Sequence, residues 1–308
     1  MNFLYLLEAI RSPVMNKMML LVTRLGEETA FLVVALIVFW CVDKRKGYYI
    51  LTAGFVGTIV NQFLKLVCAV PRPWVLDPNF TIVEAARDAA TGYSFPSGHS
   101  QNAVATFGGV ALTSHNRGIQ IIAVVIAVLV PFSRMYLGVH TPADVLTGSL
   151  LSLGFLLVLK PMVSTSKTTA MRDIIGFLFA LAVCLLLYVE LYPFPENFDA
   201  HNLTSGLKNA YTMLGCIIGL GIVYPVEKKY VRFETKATWW VQIIKVLFGL
   251  AAVLLVKEGL RVPLEMMLPL YPARAVRYFL VVLTAGVLWP MTFRWFSKMG
   301  VKNELRND

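Results

Sequence analysis

A histidine and an aspartate lie four residues apart in the stretch SRMYLGVHTPAD, residues 133–144. Proline suits the first turn of a helix, where its missing N–H is not needed, so Pro142 predicts a helix with Asp144 in its first turn and His140 just outside it. A carboxylate so placed reaches the imidazole and fixes which ring nitrogen carries the proton. The other nitrogen is then free to act as a nucleophile or general base. By themselves, these residues fit equally well a polar loop in which the two side chains only satisfy each other.

Three basic side chains, one six residues before His140 and two in an earlier part of the chain, could bind an anion. Arg134 carries a planar, permanently charged fork that matches phosphate oxygens. Lys65 and Arg72 lie at the end of an earlier apolar run, where Pro71 and Pro73 interrupt the helix. The alternative for these two cations is that they only snorkel from a membrane boundary.

The sequence PSGH, residues 96–99, comes directly before another apolar run. Backbone N–H groups at a helix start bind anions, Gly98 permits close approach, and His99 lies beside them. The alternative is an ordinary helix N-terminus with Ser97 as its cap.

Composition indicates an integral membrane protein. The chain has 308 residues, of which 57% are hydrophobic and 15% charged, and its mean hydropathy is +0.67. The formal net charge is +10, but the basic residues cluster between apolar runs, which argues against a nucleic-acid partner. No group of carboxylates, histidines or cysteines has metal-ligand spacing, so we expect no metal and no other cofactor.

The apolar runs predict an all-α, polytopic membrane helix bundle with about nine spanning helices. We expect residues 1–28 to form an amphipathic segment at the membrane interface, because charges at Glu8, Arg11 and Lys17 interrupt it. The predicted spans are 29–42, 49–67, 99–114, 118–137, 143–160, 174–192, 208–225, 239–257 and 275–293.

Topology brings the separate motifs together. If each run crosses the membrane once, one face receives Lys65, Arg72, Ser97, Gly98, His99, Arg134, His140 and Asp144. Connections on the opposite side hold 15 lysines and arginines against 12, including the most compact clusters. Since cytoplasmic loops carry the excess, we expect the active site on the extracytoplasmic face.

The sequence resembles the type 2 phosphatidic acid phosphatase family. It matches the three signature motifs, in order and spacing, at Lys65-x6-Arg72-Pro73, Pro96-Ser97-Gly98-His99 and Ser133-Arg134-x5-His140-x3-Asp144. The resemblance covers residues 65–144 directly and implies a six-helix-type phosphatase core. We therefore expect a phosphatase membrane core at 29–160 and additional membrane helices of unknown role at 161–308.

The resemblance also implies a catalytic scheme without a metal. His140 attacks phosphorus to give a phosphohistidine, Asp144 orients it, and His99 protonates the departing oxygen. Lys65, Arg72, Ser97, Gly98 and Arg134 hold the phosphoryl oxygens. His140 must be neutral while His99 is protonated, so we expect a bell-shaped pH dependence; whether cations lower the pKa of His140 or Asp144 raises it stays open.

The function predicted from these features is dephosphorylation of a membrane lipid phosphate or diphosphate, such as polyprenyl diphosphate or phosphatidate. One alternative is a phosphatase for a soluble ester, similar to glucose-6-phosphatases. The other is a lipid carrier that keeps the pocket only to bind headgroups. The expected partners are the lipid substrate and the bilayer; the sequence leaves the oligomeric state open.

Overall fold

The structure is a computed structural model that describes residues 1–161, 168–196 and 198–296. Every regular element in these ranges is helical. The chain forms two compact units. The first takes Met1–Val34, Tyr49–Ser164 and Tyr192–Gly206, and the second takes the remaining segments.

The helices up to residue 161 are α1 (Asn2–Ala9), α2 (Pro13–Arg24), α3 (Glu28–Ile37), α4 (Lys44–Cys68), α5 (Pro73–Leu76), α6 (Gly98–Ala103), α7 (Gly109–Thr113), α8 (Arg117–Tyr136) and α9 (Pro142–Leu159). One turn of π-helix, Val38–Val42, follows α3, and another, Val104–Gly108, joins α6 to α7. The later helices are α10 (Thr168–Leu191), α11 (Ala200–Val226), α12 (Trp239–Gly259), α13 (Arg261–Met267), α14 (Leu270–Leu283) and α15 (Trp289–Met291).

The all-α membrane fold is confirmed, whereas nine spans was an approximate count. Seven helical segments of the described chain are long and apolar enough to cross a membrane. An eighth is added if Pro13–Arg24 and Glu28–Val42, bent by 53°, make one span. The predicted span at 99–114 falls on the short pieces over residues 98–113, which is why it is not among these candidates.

Local sequence accounts for the starts of α2 and α8. Ser12 caps α2, with Pro13 in its first turn, and the hydroxyl of Ser12 accepts from the N–H of Met15. Asn116 caps α8 in the same way. These caps satisfy N–H groups that have no partner inside a helix.

Within the first unit, α9 passes very close to the PSGH stretch. A Cβ at Gly148 would lie 2.6 Å from the carbonyl oxygen of Ser97, a spacing that real side chains essentially never show. A glycine is therefore required here for the start of α6 to sit against the first turns of α9.

The second unit has its own aromatic core. Nε1 of Trp40 donates to the carbonyl of Ala285 at 2.8 Å, and Phe233 packs edge-on against Phe293. The predicted division into 1–28, 29–160 and 161–308 stays a prediction, and the parts of it at 162–167, 197 and 297–308 lie outside the described residues.

Candidate active site

The start of α9 has the geometry that the sequence predicts. Thr141 is the cap, Pro142 is the first helical residue, and Asp144 lies in the first turn. Oδ2 of Asp144 accepts from the N–H of Thr141 at 2.7 Å, and Oγ1 of Thr141 accepts from the N–H of Asp144 at 3.3 Å. This reciprocal capping box holds the Asp144 carboxylate in the first turn of α9, whose cap, Thr141, directly follows His140.

His140 is 2% exposed and lies between a carboxylate and a guanidinium. Its Nδ1 is 3.5 Å from Oδ2 of Asp144, which is longer than an ordinary hydrogen bond, and its Nε2 is 2.9 Å from Nη1 of Arg72. A guanidinium can only donate, so Nε2 must offer its lone pair, and the proton of the neutral ring belongs on Nδ1, facing Asp144. This is the tautomer that a nucleophilic Nε2 requires.

The sequence left open whether nearby cations lower the pKa of His140 or Asp144 raises it, and the surroundings of the ring favour the lower pKa. Burial is the largest influence and lowers the pKa of His140 well below its usual range; the charges of Arg72, Arg134 and Lys65 lower it further. A neutral imidazole is therefore the resting form of His140.

Ser94 belongs to this group, although the sequence motifs do not point to it. Its side chain is fully buried, and its Oγ donates to Oδ2 of Asp144 at 2.6 Å and lies 3.5 Å from Nδ1 of His140. The only signal in the sequence is its place three residues before Ser97. Ser94 fixes the orientation of the carboxylate, which would otherwise be held by one backbone group.

Arg72 and Lys65 both bind the loop before PSGH. Nε of Arg72 donates to the carbonyl of Gly92 at 3.0 Å, and Nη2 donates to that of Thr91 at 2.8 Å. Nζ of Lys65 donates to the carbonyl of Tyr93. Both cations are 6% exposed. Lysine has three donors and arginine five, so Lys65 keeps further N–H groups, and Arg72 keeps one on Nη2, because its Nη1 contacts Val139 and His140.

Arg134 presents an open edge. Its side chain is fully buried, and its Nη1 donates to Oγ1 of Thr23 at 2.9 Å, while Nε and Nη2 have no hydrogen-bond partner in the described part of the chain. Nε and Nη2 lie on one side of the guanidinium and together match two oxygens of a phosphate. A buried charge without a partner is costly, so this edge is suited to an anionic ligand.

The PSGH stretch, residues 96–99, is joined to the third motif by a backbone hydrogen bond. The N–H of Ser97 donates to the carbonyl of Asp144 at 2.9 Å, which ties the second motif to the third, and the hydroxyl of Ser97 caps α6. The atom nearest to an added Cβ at Gly98 is Oδ1 of Asn61, 3.8 Å away, so the space beside Gly98 is open. Nε2 of His99 is buried and has no partner among the described residues.

Asn61 is a second residue that sequence reasoning missed. Its Nδ2 donates to the carbonyl of Pro96 at 3.3 Å, which sets the orientation of the amide, and its Oδ1 is buried and lacks a described donor. Asn61 lies on α4, one turn before Lys65. A buried asparagine in an apolar run was the available signal.

These features define a polytopic helical membrane protein of the phosphatase class, with a buried histidine beside buried cationic side chains. Comparison with known proteins agrees with this class. Residues 45–168 match the PAP2 superfamily, and residues 211–301 match the PAP2 superfamily phosphatase, transmembrane extension.

Three relatives resemble the motif-bearing part of the chain. Phosphatidylglycerophosphatase B of Bacillus subtilis is 35% identical over 163 residues, which are 48% of this chain and 74% of the relative. Undecaprenyl-diphosphatase BcrC of Bacillus subtilis is 36% identical, over 41% of this chain and 64% of the relative. An undecaprenyl-diphosphatase of Sulfolobus acidocaldarius is 30% identical, over 44% of this chain and 65% of the relative.

The chain belongs to the PAP2 superfamily, and the resemblance indicated by the three motifs is confirmed. In the described structure, direct contacts link Arg72, His140 and Asp144, and a backbone hydrogen bond joins Asp144 to Ser97.

Proposed function

We propose that this protein removes a phosphoryl group from a membrane lipid phosphate or diphosphate through a phosphohistidine at His140. The observation that carries the proposal is the environment of the ring: Arg72 at Nε2, Asp144 on the side of Nδ1, and a buried, unpartnered edge of Arg134 in the same unit. Binding alone needs cations but not an oriented imidazole.

In the proposed reaction, Nε2 of His140 forms a bond to the terminal phosphorus as the bond from that phosphorus to the departing oxygen breaks. The departing oxygen belongs to the lipid alcohol in a monophosphate and to the lipid phosphate in a diphosphate. The negative charge of the bound phosphoryl group favours the protonated form of His99. His99 gives its proton to the departing oxygen, and the lipid product leaves. Water then attacks the phosphohistidine, His99 accepts a proton from the water, inorganic phosphate departs, and His140 is restored.

The remaining site residues stabilise charge on the phosphoryl oxygens. Arg134 contributes the Nε–Nη2 edge, and Arg72 and Lys65 contribute the N–H groups left over from their contacts with the loop. The helix-start amide at Gly98 and the hydroxyl of Ser97 complete the set. Fixed cations in a buried site need no reorganisation during the reaction, so this scheme requires no metal.

The relatives suggest which lipids to test. Their names specify phosphatidylglycerophosphate and undecaprenyl diphosphate as substrates of those proteins, and we propose the same class, a phosphate or diphosphate on a lipid, for this chain. We further propose a phosphatase core at 29–160 and additional membrane helices of unknown role at 161–308.

The test is phosphate release by the purified protein in detergent, with chelator present. The panel contains phosphatidylglycerophosphate, undecaprenyl diphosphate, phosphatidate and glucose 6-phosphate, and His140→Asn is the matched control. We expect release from at least one lipid, loss of release in the variant, and little from the sugar phosphate. Preference for glucose 6-phosphate, or release by His140→Asn at the wild-type rate, would contradict the proposal.

We also propose that the site opens on the extracytoplasmic face, because the compact basic clusters lie in the opposite connections. The test uses a cysteine-free background with Asp88→Cys or Arg45→Cys, both at exposed positions. An impermeant maleimide added to intact cells is expected to label residue 88 and not residue 45. The reverse pattern would place the site in the cytoplasm.

A further inference from the structure

In the described part of the chain, only one side of the Arg134 guanidinium makes a hydrogen bond to the protein. Nη1 donates to the hydroxyl of Thr23, and the opposite side, Nε and Nη2, is buried and has no described partner. A guanidinium is planar and rigid, so a hydrogen bond to one terminal nitrogen restricts the direction in which the other edge points.

Thr23 lies on α2, outside residues 45–168, which match the superfamily. It is 4% exposed, and it belongs to the segment for which sequence reasoning found no chemistry. Its contact with Arg134 joins residues 111 positions apart. No local pattern could have shown it.

The segment from residue 11 to residue 26, which contains α2, is fixed against the motif-bearing stretches by further contacts. Nε of Arg11 donates to the carbonyl of Tyr136 at 2.9 Å, and the hydroxyl of Tyr136 donates to Oδ1 of Asn16 at 3.0 Å. A Cβ at Gly26 would lie 2.8 Å from the carbonyl oxygen of His99. The chain is therefore fixed to the third motif before Thr23 and to the PSGH stretch after it.

We propose that Thr23 is a positioning residue: its hydroxyl holds Nη1 of Arg134 so that the Nε–Nη2 edge faces the phosphoryl group. The reaction part of this proposal rests on the proposed function, whereas the anion-binding part does not. Under this proposal, helix α2 helps to orient a phosphate-binding side chain in addition to lying at the membrane.

The test compares Thr23→Val, which has nearly the same shape without the hydroxyl, with Thr23→Ser, which keeps it. We expect Thr23→Val to lower kcat/KM for the lipid substrate and to weaken orthovanadate binding, each about tenfold, as for a lost hydrogen bond to a charged donor. Thr23→Ser is expected to stay close to wild type. If Thr23→Val does not fold, Thr23→Ala replaces it.

Asn16→Ala is the matched control, because it removes a contact between the same helix and Tyr136 but leaves Arg134 untouched. Because the contact of Arg11 with Tyr136 and the close approach at Gly26 still hold the helix, we expect this variant to behave as wild type. Equal losses in Asn16→Ala and Thr23→Val would mean that α2 acts only as a scaffold, and this would overturn the proposal.

Coupling to Arg134 is tested by combining Thr23→Val with Arg134→Lys. If Thr23 acts through Arg134, the double variant is no worse than Arg134→Lys alone; additive losses would overturn the proposal.

Vanadate binding separates this inference from the proposed function. A wild type that hydrolyses no lipid but binds vanadate through Arg134 and Thr23 refutes only the function, whereas full activity in Thr23→Val refutes only this inference. No vanadate binding by the wild type overturns the inference.

Discussion

Nη1 of Arg72 lies 2.9 Å from Nε2 of His140, the ring nitrogen that does not face Asp144. Because the guanidinium only donates, the lone pair proposed to attack phosphorus points at a cation before any substrate is present. The same Nη1 also donates to the carbonyl of Val139 at 2.9 Å, so Arg72 is anchored beside the ring. We therefore expect a phosphoryl group to enter where its oxygens meet Arg72 and its phosphorus meets Nε2.

Arg134→Lys is expected to lower kcat/KM by about 100-fold or more, since an ammonium cannot reproduce the two donors of the Nε–Nη2 edge. Steady-state phosphate release from the preferred lipid measures the loss. Arg117→Lys, at the other end of α8, is the control and should retain full activity. Wild-type kcat/KM in Arg134→Lys would remove Arg134 from the phosphate site.

Ser94→Ala is expected to lower kcat about tenfold while leaving KM nearly unchanged, because the serine orients Asp144 and does not bind phosphate in the proposed scheme. Ser152→Ala is the control: this serine is also fully buried, and its hydroxyl donates to the carbonyl of Gln101, away from Asp144. An equal loss of kcat in Ser152→Ala would show that removing a buried serine lowers activity through packing, and Ser94 would then have no specific role at Asp144.

Gly98→Ala is expected to fold normally and to lose phosphatase activity. The nearest atom to an added Cβ at this position is Oδ1 of Asn61, 3.8 Å away, so the methyl group meets no clash in the protein. It would instead occupy the space that we propose for a phosphoryl oxygen. Gly148→Ala provides the contrast: its Cβ would lie 2.6 Å from the Ser97 carbonyl, so thermal stability should fall as well. An active Gly98→Ala enzyme would show that the phosphoryl group binds elsewhere.

The acid limb of the pH profile of kcat/KM is expected below pH 6.5, which is the ordinary pKa of a histidine side chain. Burial and the neighbouring cations lower the pKa of His140, so the neutral, nucleophilic form persists to lower pH. The measurement is kcat/KM from pH 4.5 to 8, with the ionisation of the substrate phosphate determined separately. An acid limb above pH 6.5 that the substrate does not explain would contradict this environment for His140.

The membrane class, the three motifs and the local form of the α9 start were predictable from the sequence. Apolar runs report the solvent in which a segment is stable, and Thr141, Pro142 and Asp144 act within a single helical turn. Span number was less predictable, because it depends on where helices bend or break, as at the bend between α2 and α3.

The contacts that arrange the site follow from packing between distant parts of the chain. Arg72 and His140 are 68 residues apart, Ser94 and Asp144 are 50, and Thr23 and Arg134 are 111. Residue types and spacing named the charged groups and the histidines. They could not give the direction of the Arg72 guanidinium, the free edge of Arg134 or the roles of Ser94 and Thr23, because these depend on how whole helices pack, and no periodicity within one helix encodes that.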